Sequence, residues 1–104
     1  MSKNIYYNPE DHGLTIVASV DAGGDYDYDT LLVFEDADGN LYWADDAGCS
    51  CPVPFEDYEG VGDLNPITPK TRDGLHRWAT EHFRHEQADV IAMMRVVDEK
   101  LGDK

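Results

Sequence analysis

Apolar and polar residues alternate along the first half of the chain and recur at helical spacing along the last third. Leu14, Ile16, Ala18 and Val20 fall on one side of an extended segment, with Thr15, Val17 and Ser19 on the other, which predicts a strand with one buried face. Ile5 to Tyr7 predicts a short edge strand, closed by an Asn8-Pro9 turn. Thr30-Leu31-Leu32-Val33-Phe34 carries four consecutive apolar residues and predicts a central strand covered on both faces. Asp36-Ala37-Asp38-Gly39-Asn40 is a hairpin turn in which Gly39 is free to take positive φ. Leu41 to Ala44 is the returning strand, with Tyr42 and Trp43 on opposite faces. Residues 45–67 hold three of the five prolines and three of the nine glycines, and an ordered loop is expected there.

Thr68-Pro69 has the form of a helix start, a hydroxyl N-cap followed by proline. Beyond it Leu75, Trp78, Ala79, Phe83, Val90, Ile91, Met94, Val97 and Leu101 recur at spacings of three and four, and Gly102 ends the stripe. Glu86 and Gln87 interrupt the stripe, which marks His85 to Ala88 for a bend or break. Strands followed by a helical segment give an α+β class, a small antiparallel sheet of three to four strands packed against a long C-terminal helix. Residues 1–104 are expected to form a single domain, with sheet and ordered loop over 1–67 and helix over 68–102.

Charge changes this picture. The chain has 22 acidic and 8 basic residues, a net of −14. Residues 1–67 contain 15 acids and one base and carry all of that excess; residues 68–104 hold seven of each sign. Such a surface repels nucleic-acid backbones and anionic lipids, so neither direct nucleic-acid binding nor membrane association is expected. The opening stretch has no apolar run of the signal-peptide kind, and the expected location is the cytoplasm. Aromatics stand among the acids. Asp25, Tyr26, Asp27, Tyr28, Asp29, Tyr42, Trp43, Asp45, Asp46, Glu56, Asp57 and Tyr58 form the candidate partner-binding set. Asp25, Asp27 and Asp29 share one side of an extended segment, where three carboxylates face water, a cation or a basic partner.

The remaining chemistry is sparse. Cys49 and Cys51 supply two thiolates, and His82 with His85 completes a Cys₂His₂ set on paper. Two small residues in a proline-flanked turn is the preferred reading, and a disulfide between them is disfavoured by ring strain and a reducing compartment. His85-Glu86-Gln87-Ala88-Asp89 misses the metalloprotease pattern at its last position and reads instead as a helix surface, with His85 four residues from both Glu81 and Asp89. The Asp36–Asn40 segment lacks the sixth-position glycine and twelfth-position glutamate of a calcium loop. No catalytic residue, metal or cofactor is assigned.

The string from Leu41 through Gly48-Cys49-Ser50-Cys51-Pro52-Val53-Pro54-Phe55-Glu56-Asp57, followed by Gly62-Asp63-Leu64, resembles a family of small uncharacterised proteins of actinobacteria and their bacteriophages. The resemblance spans about Leu14 to Leu64 and rests on the Gly-Cys-Ser-Cys-Pro-x-Pro-Phe-Glu core. It implies a phage or actinobacterial origin and the usual work of small phage proteins, binding host machinery. It carries over no catalytic residue. Within the motif Pro52 and Pro54 fix φ and hold Val53 extended.

The expected function is therefore a non-enzymatic accessory protein that binds a host protein with a basic surface through the acidic, aromatic-containing half. Two alternatives remain: a DNA mimic or anti-defence inhibitor, which requires carboxylates on one contiguous face, and a metal-binding protein or enzyme built on Cys49 and Cys51 with the helix histidines. The oligomeric state is left open, since the apolar stripe equally suits packing on the sheet or pairing between copies.

Overall fold

Leu31, Leu32, Val33 and Phe34 are each at most 1% exposed. An alternating strand can bury four consecutive side chains only if both of its faces are covered. The computed structural model, which describes residues 5–6, 8–23, 27–49 and 61–102, shows how this is done. Four antiparallel strands lie in sequence order: β1 (Leu14–Asp21), β2 (Asp27–Asp36), β3 (Leu41–Cys49) and β4 (Asn65–Ile67). Two helices, α1 (Arg72–His82) and α2 (Gln87–Gly102), pack on one face. Leu31 and Val33 of β2 join Phe83, Val90, Met93 and Val97 beneath them. On the opposite face Leu32 and Phe34 pack with Ile5, Leu14 and Leu64. The class is α+β, with an antiparallel sheet against a helical layer. Each such side chain removed from water contributes about 1.5–3 kcal/mol.

Four local features differ from the sequence expectation, each for a physical reason. The first is in β1. Its pairing slips between Ile16, opposite Phe34, and Ala18, opposite Val33, so that Val17 is an extra residue. One inserted residue reverses the alternation. Leu14 and Ile16 consequently face the Ile5 side, whereas Val17, Ala18 and Val20 face the helices. Second, Ile5 and Tyr6 form a turn rather than an edge strand, and Ile5 is a fully buried plug on the sheet face; Tyr7 lies outside the described residues.

Third, β3 runs past Ala44 to Cys49, because β2 begins at Asp27 and provides a ladder out to the Asp27–Cys49 pair. The hairpin between these strands is built as its residues require. Asp36 Oδ1 accepts from the Asp38 and Asn40 amides at 2.9 and 2.8 Å, and Gly39 sits at φ 86°.

Fourth, the break marked for His85 to Ala88 falls slightly earlier, at residues 83–86, and makes the segment two helices. Phe83 leaves helical geometry (φ −107°, ψ 60°) while its side chain remains fully buried. The Gln87 side-chain amide donates to the carbonyls of Thr80 and Phe83 at 3.1 and 2.9 Å, which satisfies acceptors that the end of a helix leaves bare. A polar residue that interrupts the apolar stripe is thus what caps the break. At the other end α1 is assigned from Arg72, yet Thr68 already makes capping contacts. Its hydroxyl accepts from the Lys70 and Thr71 amides at 3.2 and 3.3 Å, and Thr71 Oγ1 accepts in return from the Thr68 amide at 2.8 Å.

Candidate functional site

On the helix-facing side of the sheet, strand alternation places Asp29 of β2 in line with Leu31, and Trp43 and Asp45 of β3 in line with Leu41. Asp45 pairs with Leu31, so it lies diagonally across from Asp29. Trp78 and His82, one turn apart on α1, come down onto these residues.

The three rings form a continuous stack. Trp43 and Trp78 have centroids 5.1 Å apart at 34°, and Trp78 and His82 are stacked at 4.7 Å and 10°. Phe83 meets His82 edge-on at 4.7 Å and closes the stack toward the core. His82 Nε2 lies 3.1 and 3.0 Å from the two carboxylate oxygens of Asp29. Asp45 is half-buried beside them. Burial pushes its carboxyl above the usual carboxylate range; the nearby His82 lowers it again, and Asp29 and Asp46 add to the rise. Beside Trp43 a groove of about 410 Å³ runs between β4 and α1, lined by Trp43, Asn65, Pro66, Lys70, Thr71 and Leu75. A shallower depression of about 250 Å³ is bounded by Trp78, Glu81 and His82.

The partner-binding set divides. Asp29, Trp43 and Asp45 come together on the helix side. Tyr42 is on the opposite face, where its hydroxyl donates to Asp36 Oδ2 at 3.2 Å and burial raises the phenol above its usual value. Asp46 follows Asp45 on the strand, opposite Thr30, so the two consecutive acids alternate in direction. Asp27 and Tyr28 are positions in β2. Asp25, Tyr26, Glu56, Asp57 and Tyr58 lie outside the described residues, as does the motif from Ser50 to Asp57.

Of the metal candidates, Cys49 is the last position of β3 and Cys51 is outside the described residues. His82 is engaged by Asp29, and His85 stands in the turn between the helices. The spacing of four from Glu81 and Asp89 therefore does not place His85 on a common helix face with them. Among the described residues no group of three or more His, Cys, Asp or Glu side chains is placed to hold a metal ion. The pairing that sequence reading missed is Asp29 with His82, 53 residues apart. The local signal was present in part: Trp78 and His82 are at i, i+4.

Among the described residues no helix is long and apolar enough to cross a membrane. No curated protein and no solved structure matches the chain. Residues 3–102 match the family described as a domain of unknown function, DUF7574. With almost its whole length matched, the chain belongs to the DUF7574 family.

Proposed function

We propose that this DUF7574 chain is a non-enzymatic accessory protein of the phage type, working in the host cytoplasm, that binds a host protein with a basic surface through its acidic, aromatic-bearing half. The observation that carries the reading is the half-buried Trp43–Trp78 pair, set between an open groove and the carboxylates of Asp29 and Asp45. Partly exposed tryptophans beside charge match the anatomy of interface anchors. The imbalance of 15 acids to one base over residues 1–67 supports attraction of a basic partner. The division of Asp45 and Asp46 between two directions does not favour the DNA-mimic alternative, which needs carboxylates on one face. The phage or actinobacterial origin rests on the motif resemblance.

The test is capture from an actinobacterial lysate on the immobilised chain, with mass spectrometry of the eluate. A single host protein enriched by the wild type, depleted by Asp45→Asn and released by added salt is the expected result. Equal capture by wild type and variant, unchanged from low to high ionic strength, contradicts the proposal.

A further inference from the structure

We propose that His82 is a protonation-operated latch that holds the C-terminal end of α1 on the sheet. Among the described residues, the ion pairs that join the helices to the sheet or to each other are of two kinds. Lys100 Nζ of α2 meets Glu35 Oε1 of β2 at 3.0 Å, and Arg72 at the start of α1 clamps Asp98 of α2 through two bonds of 2.7 and 2.8 Å. Lysine and arginine stay charged across the physiological range. The third tie, at the far end of α1, is His82 with Asp29, and imidazole is the side chain that changes charge between pH 5 and 8. One end of α1 is therefore fixed by a permanent charge and the other by a titratable one.

The surroundings give the proton a structural consequence. His82 is the last residue of α1, directly before the non-helical Phe83 and the turn to α2, so movement there needs no break inside a helix. Its side chain is 38% exposed and that of Asp29 29%, so solvent reaches the pair. The groups that face the ring are acidic. They are Asp29 from β2 and Asp45 from β3, while the next residue, Asp46, points to the other face of the sheet. Glu81 borders the same depression from α1 itself. Arg84, His85 and Glu86 follow in the turn. With the imidazolium present, one cation sits between these carboxylates and the face of Trp78. When the ring is neutral, the positive charge that His82 places beside Asp29 and Asp45 is lost. The end of α1, and with it Trp78 against Trp43, is then held by apolar contact and a hydrogen bond from a neutral imidazole to Asp29, weaker than the charge-assisted one.

The test is amide hydrogen exchange of the full chain at pH 5 and pH 8, with each rate divided by the intrinsic chemical rate for that amide. For residues 79–83 the corrected rate is expected to be about two- to fivefold higher at pH 8, the size of effect that a partly exposed ion pair produces. The first turn of α1, next to Arg72, is expected not to change. In Asp29→Asn and in His82→Gln the pH ratio at residues 79–83 falls to that of the first turn. Equal ratios at the two ends of α1 in the wild type overturn the proposal, and so does a ratio that persists in either variant. If one variant fails to fold, the other, together with the two-ended comparison in the wild type, decides.

Discussion

Replacing Phe83 by alanine separates two accounts of the C-terminal third. If residues 72–102 formed one continuous amphipathic helix, alanine at position 83 would be the better helix former and the substitution would be mild on the backbone. In the structure Phe83 is where the helix stops, and its ring is fully buried between the two helices and the sheet. Removing a fully buried phenylalanine costs about 3–5 kcal/mol in transfer and cavity terms. The edge-on contacts with His82 at 4.7 Å and Trp78 at 6.0 Å place the loss in the upper part of that range. We expect about 4 kcal/mol, a large share of the roughly 5–15 kcal/mol of a typical domain. In a thermal melt this is a fall of roughly 15–30 °C for a chain of this size. Phe83→Leu, which keeps most of the volume, is expected to lose about 1.5 kcal/mol or less. Urea unfolding followed by circular dichroism measures both. A loss below about 1.5 kcal/mol for Phe83→Ala, or a gain in helicity, refutes the reasoning.

Three further outcomes follow from the same contacts. Gln87→Ala removes the amide that satisfies the Thr80 and Phe83 carbonyls, and it is expected to cost about 1 kcal/mol in urea unfolding, whereas Gln87→Glu, which cannot donate, costs no less. The Asp36 carboxyl is held below its ordinary value by hydrogen bonds from Asn40, Asp38 and Tyr42, and that of Asp98 by Arg72. Their contribution is present above the ordinary carboxylate range and is lost as pH falls through their lowered values, so the urea midpoint falls on acidification and falls less in Asp98→Asn. Asp45 has the opposite sign: its raised value means that its stabilising share is present at low pH and lost as pH rises, so Asp45→Asn is expected to be more stable than wild type at pH 7 and equal to it near pH 3.

Much of this fold could be read from pattern because the pattern was local. Four apolar residues at Leu31–Phe34 demand cover on two faces, and Asp36 with Gly39 demands a turn, whatever the rest of the chain does. The strand at Leu14–Val20 was harder. Its alternation admits one register, but Ile16-Val17-Ala18 are all apolar, and only pairing with β2 decides that Val17 is inserted. The helix break was marked by Glu86 and Gln87 without its cause, since the bonds from Gln87 reach back four and seven residues to carbonyls that exist only once α1 has ended. The site was the least legible part. Asp29 read as one of three acids in an exposed row, and His82 as a spare ligand. Their contact depends on how α1 crosses β2, and no sequence window contains both.

Asp45 offers the most direct test of the binding proposal, because its charge is unfavourable to the folded chain on its own. The measurement is the Kd of the purified host protein captured by the wild type, determined by calorimetry at about 50 and 500 mM salt for wild type and Asp45→Asn. The proposal predicts at least roughly tenfold weaker binding by the wild type at high salt, and weaker binding by the more stable variant at low salt. Equal affinities for the two chains, independent of salt, would contradict it.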